Sequence, residues 1–107
     1  MKTNNIFQNL PDDLKDEFFE NLLLNPNFKI ERIISLGHTT PRGEWLIQEE
    51  AEFVILLSGA AKLVFFENNE LVEMQAGDYV SIPSNTKHRV EWTDENTHSV
   101  WLAVHFK

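Results

Sequence analysis

The chain has 107 residues, with 9 Lys and Arg against 17 Asp and Glu, a net charge of −8 at pH 7. One domain accounts for that length, and 42% hydrophobic with 24% charged residues is the composition of a folded globular chain, not a disordered one. The acidity argues against nucleic acid or an anionic membrane surface as partner. The absence of cysteine excludes disulfides, thiolate zinc sites and cysteine nucleophiles.

The start, Met1-Lys2-Thr3-Asn4-Asn5, leads into no apolar run of signal-peptide length, and no run approaches the roughly 18 residues of a membrane span. A cysteine-free chain of this kind is expected to be cytoplasmic. Residues 12–24 read as a helix. Pro11, Asp12 and Asp13 stand where a helix begins, and Leu14, Phe18 and Leu22 recur at a spacing of four. Asn25-Pro26-Asn27 ends it. Residues 1–28 are thus expected to be an N-terminal segment built on this helix, and 29–107 a β-barrel.

From Phe28 onward, short β-branched, aromatic and leucine runs alternate with turn residues. The predicted strands are Lys29–Leu36, Glu44–Gln48, Glu52–Ser58, Ala61–Glu67, Leu71–Met74, Tyr79–Ile82, His88–Trp92 and Ser99–Phe106. Strands this short and this closely spaced make a sandwich or a barrel. Glu52–Ser58 and Ser99–Phe106 are apolar on both faces, whereas a sheet with one wet face alternates. Something must cover the second face, either the helix or a second copy of the chain, so a homodimer is expected.

The most informative stretch runs from Gly77 through Pro83 and Asn85 to His88. Glycine, five residues, proline, then a turn residue and a histidine resembles the second motif of the cupin superfamily, with Asn85 in place of the motif's second glycine. Asn tolerates the left-handed conformation that such a position uses. Upstream, Glu52 and Gly59 keep the closing spacing of the first cupin motif. Gln48 and Leu46 stand where its two histidines belong. The resemblance covers about Ile30 to Phe106. It implies an all-β, cupin-type β-barrel or jelly roll with the N-terminal helix attached.

In that superfamily the motif residues hold one divalent metal inside the barrel. Carried over, the resemblance implies Gln48, Glu52 and His88 as ligands for Zn, Fe, Mn or Ni, with His105 able to restore a second imidazole, or else a metal-free pocket. A Gln–Glu–His set is weaker than one with several imidazoles, because the amide is neutral. Strand alternation puts Gln48 and Glu52 on one face, and Val90 and Trp92 on the same inward face as His88.

Each residue has a plainer reading. Glu52 could sit at a strand mouth and meet solvent or Arg89, Gln48 could end a strand, and His88 could begin one. For His105, the larger apolar set Val100, Leu102, Val104 and Phe106 competes for the core face. His38 lies on a loop that edges the barrel mouth, and His98 follows an acidic loop and is expected to be exposed. Trp45, Trp92 and Trp101 suit a core better than a stacking platform. The expected function is a cupin-domain protein that binds a divalent metal, a small polar ligand or both. If it is an enzyme, Glu52 or His88 acts as acid or base. The alternative is a metal-free binding or sensing module.

Overall fold

The computed structural model describes all 107 residues. Eight strands follow in order: β1 Phe18–Asn25, β2 Phe28–Ser35, β3 Ala51–Ser58, β4 Ala60–Phe65, β5 Glu70–Gln75, β6 Tyr79–Ile82, β7 His88–Thr93 and β8 Ser99–Phe106. One 3₁₀ turn, Glu67–Asn69, is the helical structure present. The strands form an antiparallel five-stranded sheet, β1-β2-β8-β3-β6, and a three-stranded sheet, β5-β4-β7. The all-β, jelly-roll expectation holds. No helix is long and apolar enough to cross a membrane.

The helix predicted over 12–24 does not form. Its second half is β1, which folds back on β2 through Pro26 and Asn27 with Asn25 opposite Phe28. The Asn27 amide donates to the Asn25 side chain at 2.9 Å, which closes the turn. Isolated helices of about 13 residues are marginal in water. A hairpin partner for β2 offers the same apolar residues a complete ladder, and tertiary pairing overrides the helical period. The predicted strand Glu44–Gln48 reduces to one bridge, Leu46 with His88.

The core lies between the sheets and is built from Val54, Leu56, Ala61, Leu63, Met74, Ile82, Trp101 and Ala103. Glu52, Val54 and Leu56 of β3 therefore share an inward face, and Trp101, Ala103 and His105 of β8 share another. The outer face of the large sheet is covered in part. Arg32 is buried there and donates Nη1 to the carbonyls of Ile6 at 3.1 Å and Gln8 at 2.6 Å. Its Nε lies 3.0 Å from Glu20 Oε1. An irregular N-terminal segment, tied down by one arginine, does part of what the helix was expected to do.

Gly59 is the most tightly packed of the four glycines. Its φ is +84°, and a Cβ there would meet Ser99 Cα at 2.6 Å and the His98 carbonyl at 2.9 Å, both backbone atoms that cannot yield. Gly77 has a φ of +96° with open space around it. Gly59→Ala should therefore cost about 3 kcal/mol in urea unfolding, and Gly77→Ala about 1 kcal/mol. Equal costs would mean that the Gly59 contact is not a constraint.

Candidate functional site

A cavity of about 340 Å³ lies between the two sheets. Its apolar walls come from six strands: Ile33 of β2, Val54 of β3, Leu63 of β4, Ile82 of β6, Val90 of β7 and Trp101 of β8. Its polar lining includes Glu17, Glu31, Gln48, Glu52 and His88. Three of the sequence-predicted residues thus share one hollow, with two glutamates that sequence reasoning passed over.

Strand register assembles the first cluster. Pairing of β3 with β8 sets Glu52 opposite His105, and pairing of β2 with β8 sets Glu31 opposite Ala103, diagonal to His105. His105 donates Nε2–H to Glu31 Oε1 at 2.7 Å, and its Nδ1 lies 3.4 Å from Glu52 Oε2. Gln48 donates Nε2–H to Glu52 Oε2 at 2.7 Å and comes within 3.4 Å of His105 Nδ1. Glu31 and His105 are 7% and 5% exposed, so the imidazole is held between two carboxylates away from water. The hydrogen bond to Glu31 raises the His105 pKa above the ordinary value, burial opposes it, and Glu52 adds to the rise. Val100, Leu102 and Val104 take the other face of β8, so His105 points inward.

His88 stands across the cavity. Its Nδ1 bonds to the Thr86 carbonyl at 2.9 Å. A carbonyl only accepts, so Nδ1 carries a proton, and in the neutral ring Nε2 keeps a lone pair. The ring stacks on Phe65, with centroids 5.8 Å apart. The loop before it is held by Asn85, whose φ is +57° and whose amide donates to the Gln48 carbonyl at 2.8 Å. Asn85 thus takes the left-handed conformation expected at the motif's second glycine. Leu46 and His88 exchange both backbone hydrogen bonds, at 2.7 and 3.0 Å.

Trp92 does not join His88 on the inward face. Register slips between Lys62 and Leu63, where Trp92 and then Val90 face consecutive residues of β4. The extra residue, Glu91, is a bulge that reverses the alternation. Trp92 turns outward under the Lys62 ammonium, and Thr93 turns in. Arg89 pairs with Glu91 at 2.8 Å and lies over the Trp45 ring, so it is not the partner of Glu52.

Glu17 reaches the cavity because β1 is a strand. It accepts a hydrogen bond from Ser35 Oγ, and the Trp101 indole donates to the same hydroxyl at 3.3 Å. Burial pushes the Glu17 carboxyl up, and Glu31 adds to the rise, while the Ser35 hydrogen bond and His38 oppose it. Two histidines tie down the preceding chain. His38 donates Nε2–H to the Lys15 carbonyl at 3.2 Å, and His98 donates to that of Pro11 at 2.6 Å. His98 is therefore partly buried, and not fully exposed as expected. The available sequence signal was Asn25-Pro26-Asn27 between two apolar runs, which also reads as a hairpin turn.

The model of the cupin domain matches residues 35–105, most of the chain. The chain belongs to the cupin family. A Ralstonia eutropha JMP134 structure, named as a "putative mannose-6-phosphate isomerase", is 38% identical over 100% of this chain and 99% of that one, with a TM-score of 0.95. A cupin superfamily protein from Desulfitobacterium hafniense DCB-2 is 11% identical, covering 91% and 83% with a TM-score of 0.74. A Thermus thermophilus protein is 14% identical, covering 99% and 97% with a TM-score of 0.79. Both share the fold. No curated protein matches the chain.

As a donor set for a divalent ion, this cupin's residues fit poorly. No group of three His, Cys, Asp or Glu side chains is disposed to hold a metal ion. Leu46 offers no donor atom, and Gln48 turns its amide nitrogen toward Glu52. The two nitrogens of His105 face two different carboxylates. The imidazole lies between Glu31 and Glu52, and the hydrogen bond to Glu31 favours its charged form, which offsets one of their two charges.

That ion pairing fixes a pH dependence. A histidine with a raised folded pKa stabilises the fold fully below its ordinary value of 6.5 and loses that contribution as pH rises through the folded value. Urea unfolding should therefore show stability falling as pH rises above about 6.5, with a shallower fall in Glu31→Gln. A flat wild-type profile, or an equal slope in the variant, would show that the pair does not carry charge.

Proposed function

We propose that this cupin binds a small, phosphate-free organic molecule in its barrel cavity and holds no resident metal ion there. The cavity lining carries the reading. It includes Glu17, Glu31 and Glu52 but neither Lys nor Arg. A phosphate dianion in such a hollow would face carboxylates with no cation to balance it. The sugar phosphate in the Ralstonia relative's name is therefore not carried over. Walls of Ile33, Val54, Val90 and Trp101 suit the hydrocarbon part of a ligand, and the acidic and imidazole groups suit its polar part.

One observation favours a second reading, a metal-dependent or proton-transfer enzyme. His88, with Nδ1–H held by the Thr86 carbonyl, presents Nε2 as a base or ligand, and Glu52 lines the same hollow. Elemental analysis of untagged protein, combined with calorimetric titration of mannose 6-phosphate, separates the two. The first reading expects well below one metal ion per chain and no saturable heat. About one ion per chain, lost in both Glu52→Ala and His88→Ala, would overturn it in favour of the second.

We also place the protein in the cytoplasm, because it has no cysteine, and propose that it is a homodimer. β1 is an edge strand, and it leaves Phe19, Leu22, Leu23 and Leu24 exposed. Such an edge is a template for pairing unless a partner covers it. Light scattering should give twice the chain mass, reduced to the monomer in Leu22→Glu/Leu24→Glu. A wild-type monomer at high concentration would contradict the dimer.

A further inference from the structure

The hydrogen-bond inventory of the cavity is one-sided. Glu17 uses one carboxyl oxygen on Ser35, Glu31 uses Oε1 on His105, and Glu52 uses Oε2 on Gln48. The second oxygen of each has no protein donor. His88, with its proton on Nδ1, leaves a lone pair on Nε2 with no donor either. The sealed side-chain nitrogens and oxygens that make no hydrogen bond are Arg32 Nε and Arg89 Nε, each held in an ion pair instead, so the four free acceptors are not among the atoms closed off from the hollow. Glu31 and His88 are 7% and 5% exposed, too buried for bulk water to serve them freely. Against these acceptors, the lining offers few donors: the hydroxyls of Thr39 and Thr40 and the remaining amide hydrogen of Gln48.

Buried acceptors without donors are costly, so the occupant should bring N–H groups. It should also bring positive charge, because the three carboxyl groups of the lining have one imidazole, His105, beside them and no Lys or Arg among them. We propose that the cavity ligand is a small organic cation, an alkyl ammonium or guanidinium compound. Its charged head sits among Glu17, Glu31 and Glu52, and its hydrocarbon part lies on Ile33, Val54 and Trp101. The proposal rests on the binding reading above and names its ligand class. Trp101 adds an aromatic surface that suits a cation. The net charge of −8 draws cations toward the protein from a distance. A bare metal ion finds no group of three His, Cys, Asp or Glu side chains disposed to hold it and would leave the apolar walls of a 340 Å³ hollow without a partner.

Glu17 supplies a signature of its own. Burial pushes its carboxyl up, and Glu31 adds to the rise, against the Ser35 hydroxyl and His38. A cation seated beside it favours the ionised form, so binding near that raised value releases a proton, and affinity rises with pH through that range.

The test uses four probes of one chain length: butylguanidinium, butylammonium, butanol and butyrate. Each is titrated calorimetrically into the whole protein in two buffers of different ionisation enthalpy. The expected order is guanidinium and ammonium at least tenfold tighter than butanol, with butyrate weakest and proton release seen for the cations alone. Glu17→Gln, an isostere, should weaken the cations about tenfold, leave butanol within about twofold and abolish the proton release. Glu31→Gln serves as the second variant, and thermal melts show that each is folded.

Butanol binding as tightly as the amine would keep a binding cavity and overturn the cation class. Butyrate binding best, no binding by any probe, or cation affinity unchanged in both folded variants would also overturn it. Zn²⁺ or Mn²⁺ displacing butylammonium at stoichiometric concentration would assign the acceptors to a metal instead, and would overturn the metal-free reading with it.

Discussion

One buried imidazole between two buried carboxylates organises this end of the barrel. A charge removed from water must be paired, and breaking such a pair is more damaging than never having built it. Glu31, His105 and Glu52 come from three adjacent strands of one sheet, β2, β8 and β3. Each depends on register, because a slip of one residue would turn its side chain to the other face. The β2–β8 ladder runs without a break from Phe28 opposite Phe106 to Ser35 opposite Ser99. The one shift in the β3–β8 ladder falls between Leu56 and Ser58, several residues from Glu52. The ion pairs lie where the pairing is most regular.

From that arrangement follow the properties of the hollow. His105 fixes one oxygen of Glu31, which favours the charged form of the ring, while Gln48 holds Glu52. Both carboxylates are left with an open oxygen. Glu17 adds a third from the opposite flank of the sheet, on a segment anchored by His38 and His98. The cupin scaffold therefore carries a buried imidazole between two carboxylates and an acceptor-rich wall. A fold of this kind supports many chemistries, and the site decides among them. The proposed ligand class rests on the charge balance of this lining, three carboxyl groups without a Lys or Arg.

Much of this was legible in the residues. Turn signals and β-branched runs placed β2 through β8 within a residue or two, since the strands are short and most are set off by Gly, Pro, Asn or Asp turns. The spacing from Glu52 to His88 brought Gln48, Glu52 and His88 to one cavity. Asn85 carried its own reason, a residue type that accepts positive φ. The misses have physical causes. Leu14, Phe18 and Leu22 carry a helical period, but β2 needed a neighbour, and pairing outweighed periodicity. Trp92 followed strict alternation until one bulge residue, Glu91, reversed it. Glu31 and Glu17 were invisible because their significance lies in cross-strand neighbours, His105 and Ser35, that stand 74 and 18 residues away in sequence.

The central claim is that His105 is a buried cation shared by Glu31 and Glu52. Nitrogen-15 NMR of the imidazole reports it most directly, through the shifts of the two ring nitrogens followed across pH in wild type and Glu31→Gln. The account predicts both nitrogens protonated at neutral pH, with titration above the ordinary histidine value that moves back toward it in the variant. A neutral ring that titrates like a free histidine, unchanged by loss of the Glu31 charge, would contradict it.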